Sequence, residues 1–230
     1  METLKFDLDA KPLREVNQYL HSDATSLNGK KIVIENPNGA HNIVVGLKAE
    51  LDVTIKGHAG YYAAGMNQIA KVTIEGSAGS GVAENMMSGV VHVKGFASNA
   101  AGATANGGLL IIDGDAGLRC GIALKGANIV VGGSVGSFSA FMAQAGNFVI
   151  LGDAGDGLGD SIYEAKLFVR GKVKSLGADC EEKTMNAEDK QILADLLKKS
   201  GHADVSPDSF KQYGSARTLY HFHVDNAGAY

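Results

Sequence analysis

Short runs of apolar residues, each closed by a glycine, recur through the middle of the chain. They fill residues 51–171, and successive closing glycines are always 19 residues apart. The runs are LDVTIKG, KVTIEG, VVHVKG, LLIIDG, NIVVGG, NFVILG and KLFVRG, which end at Gly57, Gly76, Gly95, Gly114, Gly133, Gly152 and Gly171. A fixed period of about 20 residues with one strand per repeat is typical of a solenoid, because a single coil buries its apolar face only by stacking on its neighbours.

At a given number of positions before or after the closing glycine, which we term the offset, the type of residue is similar in every coil. The residues four and two positions before it are apolar in all seven coils, which predicts two inward columns stacked at about 4.8 Å. Two and seven positions after it the residues are small, apart from Val135 and Val173, as a tight corner requires. A glycine often recurs three positions after it, where we expect positive φ or close backbone approach. The sequence therefore predicts a mainly β fold, a single-stranded β-helix of about seven coils.

The segment before the repeats predicts a cap. Residues 1–30 contain a strand-like run followed by a helix that begins near Pro12, with Leu13, Val16 and Leu20 on one face. Such a segment can cover the open end of a solenoid, which otherwise presents unpaired strand edges. The next runs, IVIEN and NIVVG, predict two strands in an irregular first coil.

The pattern stops after Lys174 and the composition changes. We therefore divide the chain into the cap, a β-helix domain over residues 31–180, and a helical extension and tail over residues 181–230. In the extension, Asn186 is a good N-cap for a helix with an acidic first turn and an apolar stripe, and Ser206 begins a second short helix.

One outward column of the β-helix turns from polar to apolar halfway along. Three positions before the closing glycine it ends in four apolar residues, Ile111, Val130, Val149 and Phe168. Burying each contributes roughly 1.5–3 kcal/mol, so we expect something to cover this stripe. Two occupants are open, the C-terminal helix and another subunit.

Composition and charge narrow the function classes. A net charge of −4 gives no basic footprint for nucleic acid. No apolar run approaches the roughly 20 residues that span a bilayer, and no signal-peptide pattern is present, so a cytoplasmic protein that meets neither membrane nor nucleic acid is expected. Cys120 and Cys180 are 60 residues apart without a nearby histidine pair, which favours neither a zinc site nor a disulfide framework.

Several motifs can be interpreted either as functional sites or as residues with a purely structural role. The run GDAGDGLGDS, with Asp153, Asp156 and Asp160, resembles a phosphate loop or a calcium site, but the corner of the sixth coil already needs its glycines and no P-loop lysine follows. His221 and His223 share one face of a possible strand, yet no third metal ligand is evident.

Two further groups lie in the predicted corners. Arg119 and Cys120 can form a thiol beside a cation, or Cys120 can be a small core residue. The best candidates for a substrate channel or for contact with another subunit are polar and aromatic residues on the corners of adjacent coils, with turn formation as the plain alternative: Tyr61, Tyr62, Asn67, Glu84 and Asn85. No catalytic, metal or cofactor set is recognised.

Residues of the repeats also carry a family resemblance. The coils GSAGSGVAENMMSGVVHVKG, GFASNAAGATANGGLLIIDG and GDAGLRCGIALKGANIVVGG resemble the GXGXG domain of glutamate synthase, a right-handed β-helix, over about residues 30–180. The β-helix subunits of formylmethanofuran dehydrogenase and of the formyltransferase/hydrolase complex are similar. The segments GDSIYEAKLFVRGKVKSLGADC and FKQYGSARTLYHF resemble most the stand-alone GXGXG subunits of N-methylglutamate synthases, the glutamate synthase-like Glx proteins.

The resemblance implies a non-catalytic scaffold in a split enzyme. Its expected partners are a class II amidotransferase-like subunit and a glutamate synthase-like subunit that carries FMN and an iron–sulfur cluster, with no cofactor on this chain. The expected reaction converts methylamine and L-glutamate to N-methyl-L-glutamate and ammonia, and the β-helix would border the ammonia path. The alternatives are the β-helix subunit of a formylmethanofuran dehydrogenase or other formyl-transfer complex and an autonomous β-helix binding protein.

Overall fold

A computed structural model describes residues 2–217. Within them, eleven strands form one sheet in the order β1 to β9, then β11 and β10. The strands are β1 (Thr3–Asp7), β2 (Lys31–Glu35), β3 (Asp52–Ile55), β4 (Lys71–Ile74), β5 (Val90–Val93), β6 (Leu109–Ile112), β7 (Lys125–Val131), β8 (Ala145–Ile150), β9 (Lys166–Val169), β10 (Cys180–Lys183) and β11 (Lys211–Ser215). The helices are α1 (Leu13–Leu20), α2 (Ala24–Leu27) and α3 (Ala187–Lys199), with a 3-10 turn at Pro207–Ser209.

The predicted solenoid is confirmed. Strands β1 to β9 pair in parallel, and from β3 onward each partner lies 19 residues further along the chain, as Val53 pairs with Val72; the exception is a bulge where Lys125 pairs with Ala145, 20 residues on. All side chains of the two inward columns are at most 1% exposed. The residues two positions after each closing glycine form a second ladder of isolated parallel bridges, from Ala59 to Val173. Stacking about seven turns thus produces one continuous apolar core.

Each corner uses left-handed backbone at alternate residues. In the first regular coil these are Tyr62, Ala64 and Met66, with φ of 59°, 53° and 54°. Their N–H groups alternate between neighbours, since Tyr62 donates to the Ser80 carbonyl of the next coil at 2.9 Å and Ala64 to the Ile43 carbonyl of the previous coil at 3.0 Å. The corner therefore satisfies its buried backbone through inter-coil hydrogen bonds.

The recurring second glycine, three positions after the closing one, serves close approach and not positive φ. A Cβ on Gly136 would lie 2.7 Å from the carbonyl carbon of Gly117 in the previous coil. Since Cβ atoms do not approach backbone this closely, only glycine fits the stacked position.

Helix α1 caps the first coil, as predicted. Val16 and Leu20 are buried in the core, and the Asn17 side chain donates to the Asn42 carbonyl at 2.8 Å and accepts from the Val44 N–H at 3.1 Å. Asn17 thus replaces the missing previous coil. The predicted strand at 42–46 is wrong, because Asn42 and Val44 have φ of 56° and 52° and form a corner in which Ile43 and Val44 are buried in the core.

Helix α3 covers the outward apolar stripe. Asn186 caps it in a capping box with Asp189. Its Leu193, Leu196 and Leu197 form a second apolar cluster with three stripe residues and a residue after the 3-10 turn, Val130, Val149, Phe168 and Phe210. Ile111 is also buried but lies outside this cluster. Of the two open occupants, the structure therefore has the chain's own helix on the stripe.

A partly buried ion pair fixes the start of α3 to the sheet. Lys166 Nζ on β9 lies 2.6 Å from Oδ1 of Asp189, a residue that is only 2% exposed. Burial raises the pKa of Asp189, but hydrogen bonds from Lys166, the Asn186 N–H and Gln212 outweigh it and hold the pKa below its usual value. The carboxylate is therefore charged at neutral pH.

The extension after residue 180 also contains strands, so its description as helical is incomplete. Strand β11 pairs antiparallel with both β9 and β10. Its sequence, KQYGS, lacks the alternation of a strand. The antiparallel pair ends the parallel sheet and covers the last coil.

Candidate functional site

Three of the five candidate contact residues line one surface pocket. Tyr62, Glu84 and Asn85 surround a cavity of about 210 Å³, whose other walls are Asn42, Val45, Gly65 and Met66. The 19-residue register brings them together, because Glu84 and Asn85 belong to the coil stacked on that of Tyr62. The pocket thus lies across the corners of neighbouring coils.

The aromatic wall and the carboxylate meet over one glycine. A Cβ on Gly81 would lie 2.6 Å from a ring carbon of Tyr62 and 3.0 Å from Oε2 of Glu84. Gly81 also has φ of +74°, so both its conformation and the ring above it exclude a side chain. The Tyr62 side chain remains 49% exposed, which leaves the ring open to a binding partner.

The other two candidates lie apart from the pocket. The Tyr61 ring stacks on His41 with 4.5 Å between centroids, and its N–H donates to His41 Nδ1. Asn67 is fully buried, and its Nδ2 donates to the carbonyls of Ala70 and Ser88. Its Oδ1 has no partner in the described part of the chain. These residues thus serve stacking and turn formation.

The pocket chemistry suits binding better than catalysis. Asn85 Oδ1 accepts from Thr104 Oγ1 at 2.6 Å, which fixes the amide. Glu84 is the one carboxylate among the lining residues, and the lining contains no histidine, cysteine or lysine that can act with it. Sequence reasoning missed Met66, whose signal is a large apolar side chain where the following coils have Asn85 and Thr104.

The acidic run of the sixth coil ties that coil to the seventh. Asp153 Oδ1 accepts from the Lys172 N–H at 2.7 Å, Asp160 Oδ2 accepts from the Ala178 N–H at 3.2 Å, and Asp156 pairs with Lys174 at 2.7 Å. Within residues 2–217, no three acidic, histidine or cysteine side chains gather as a metal site would require. His221 and His223 lie outside the described residues.

The two cysteines are core residues. Cys120 is fully buried, and loss of solvation raises the pKa of its thiol to about 12. Burial also raises the pKa of Cys180, to about 11. The predicted cation beside Cys120 does not activate it, because the neighbouring Arg119 side chain is exposed while the thiol faces the core.

We therefore expect neither thiol of the native protein to react appreciably with a thiol-specific reagent such as DTNB at pH 8. The thiolate is the reactive form, and both thiols remain protonated and buried at this pH. The same sample in denaturant should release two equivalents, one for each cysteine. Rapid labelling of one equivalent in the folded protein would contradict this burial.

Comparison with known proteins gives the family. No family model matches the sequence. The chain is, however, 58% identical to Protein GlxC of Rhizobium meliloti (strain 1021) over 224 residues, which cover 97% of this chain and 98% of GlxC. The chain belongs to the GlxC family. The match to GlxC covers the cap, the solenoid and the C-terminal extension.

Within the part of this GlxC-family chain that the structure describes, every helix is too short or too polar to cross a bilayer.

Proposed function

We propose that this chain is a non-catalytic scaffold subunit of a glutamate synthase-like complex, most specifically an N-methylglutamate synthase. The observation that carries the proposal is the match to GlxC over nearly the full length of both chains, taken with the resemblance of the coils to the GXGXG domain. A solenoid whose side chains are used for stacking, with a pocket suited to contact, supports a scaffold role.

In this proposal the chemistry lies on two other chains. Together, an amidotransferase-like chain and an FMN-dependent synthase-like chain convert methylamine and L-glutamate to N-methyl-L-glutamate and ammonia. An iron–sulfur cluster does not fit this chain, because such clusters are held mostly by four thiolates and the chain has two cysteines, both buried. Our proposal places both the cluster and the flavin on the synthase-like partner.

This chain contributes a rigid body between those two partners. Inter-coil hydrogen bonds and the continuous core make the solenoid rigid, which suits holding two active sites at a set distance. The pocket of Tyr62, Glu84 and Asn85 is its best candidate for contact with another subunit or for a border of the amine path.

Copurification tests the proposal. An affinity-tagged chain is isolated gently from its native host grown on methylamine, with a strain expressing the untagged chain as control. We expect an amidotransferase-like and a synthase-like chain in the mass spectrum, flavin and iron–sulfur absorption in the visible range, and N-methylglutamate formation.

Two other results would replace the proposal. An amidohydrolase-like chain without flavin would indicate a formyl-transfer complex. Recovery of the chain alone, with specific ligand binding, would indicate an autonomous β-helix binding protein.

A further inference from the structure

Exposed large apolar side chains concentrate on one side of the solenoid, which we term the corner face: the residues four to twelve positions after each closing glycine. Eleven large apolar side chains are exposed in the described residues, and all but Tyr19 and Phe96 lie on this face. The nine are Tyr61, Tyr62, Met66, Ile69, Met87, Leu118, Phe138, Met142 and Tyr163. Such a concentration marks an interaction surface.

The corner face contains the same aromatic–methionine pair twice. Tyr62 and Met66 occupy the positions five and nine after the closing glycine of the first regular coil, and Phe138 and Met142 occupy the same positions in the fifth. Both rings lie over the glycine at the same offset of the next coil. All four residues have φ between 52° and 59°. Bulky residues adopt this region at a cost of roughly 1–2 kcal/mol each, and such strain retained at exposed positions points to a function.

On the corner face, the coils between these pairs carry one acid and two bases, with small residues at the centre; Lys125 lies on the fourth coil together with Arg119. Glu84 lies on the second coil and Arg119 on the fourth, and neither has an ion pair within residues 2–217. The third coil has Ala100 and Thr104 at the offsets of the two apolar pairs, and Ala103 between them is buried. On one side of the third coil, the second coil carries an acid and the first coil an apolar pair. On the other side, the fourth coil carries two bases and the fifth coil an apolar pair.

This order is self-complementary under a two-fold rotation. An axis that runs along the corner of the third coil reverses the order of the coils and keeps every offset, so the first coil faces the fifth and the second faces the fourth. We propose that two copies of this chain pair through their corner faces about such an axis. Tyr62 then meets Phe138 of the second copy, and Met66 meets Met142.

The charges select a second copy as the occupant. In the same pairing the coil of Glu84 faces the coil of Arg119 in the second copy, where the long arginine side chain can reach the carboxylate, and two-fold symmetry forms this contact twice. The small residues of the third coil let the two backbones approach at the axis. The first and fifth coils are about 19 Å apart, four steps of about 4.8 Å. A contact of this length buries less area than a stable interface, which takes about 800 Å² per partner. We therefore expect a dimer that dissociates in the micromolar range.

Charge reversal tests the pairing on the full chain alone, independently of the complex proposed above. Sedimentation velocity from low micromolar to submillimolar protein should show a monomer–dimer equilibrium. Glu84→Arg and Arg119→Glu should each weaken the dimer at least about tenfold, because each places like charges together at two symmetric contacts. The double variant E84R/R119E restores opposite charges and should return the dissociation constant to near that of the wild type.

Glu75→Arg and Arg170→Glu are the matched controls. Both residues are exposed at strand ends, away from the corner face, so these reversals should leave the dissociation constant unchanged. Circular dichroism verifies that every variant is folded. Wild-type protein that stays monomeric throughout, a dimer unaffected by the single reversals, or a double variant without recovery would each overturn the pairing.

Discussion

Replacing Phe168 by aspartate is expected to lower the free energy of unfolding by about 4 kcal/mol or more. Phe168 is fully buried on β9, in the cluster that joins the sheet to α3. The change removes a large ring and puts a carboxylate among apolar side chains. Because the same side chain holds α3 in place, the helix should also lose protection from amide hydrogen exchange. Denaturant unfolding followed by circular dichroism measures the difference.

Phe96→Asp is the control for this change. Phe96 is 58% exposed, so the same substitution there should change the free energy of unfolding by less than about 0.5 kcal/mol. Equal stability of the two variants would mean that α3 does not seal the sheet, and the stripe would then be open to another subunit.

The stripe shows how far sequence reasoning reaches. The period fixes which residues point outward, and the apolar stripe of α3 is evident from its own spacing, so both halves of the contact are predictable. The packing of α3 on the stripe is not predictable, because any apolar surface can cover another. In the structure Lys166 and Asp189 add the specificity, since their partly buried ion pair places the first turn of α3 beside β9.

The backbone conformation of the corners could not be predicted from the hydrophobic pattern, for a physical reason. Alternate left-handed residues bring consecutive apolar side chains such as Ile43 and Val44 into the core, which gives apolar runs that resemble strands. The prediction of a strand at 42–46 is wrong for this reason. The position within the coil also decides which candidate residues reach the pocket. Tyr62 and Glu84 meet because the 19-residue register stacks their coils. Asn67 does not, because it lies in an inward-facing column that continues with Met86 in the next coil. Strand β11 could not be predicted, because it is ordered by pairing with β9 and β10 and not by its own sequence.

Adding one methyl group at Gly136 is expected to lower the free energy of unfolding by about 3 kcal/mol. The Cβ of Gly136→Ala would lie 2.7 Å from both the carbonyl carbon of Gly117 and the Leu118 nitrogen. These atoms are backbone, so they cannot turn aside as a flexible side chain would. The fourth and fifth coils must separate, which weakens the hydrogen bond from the Gly136 N–H to the Ala116 carbonyl, 3.0 Å in the native chain.

Gly214→Ala is the matched control for this prediction, because it adds the same methyl group in β11. Its Cβ would meet no atom closer than 3.6 Å, which is ordinary contact, so the unfolding free energy should change by less than about 1 kcal/mol. Chemical denaturation of both variants gives the comparison directly. A Gly136→Ala protein as stable as Gly214→Ala would show that the coils can separate there without loss. Tight stacking at the recurring glycine would then not be what sets the register of the solenoid.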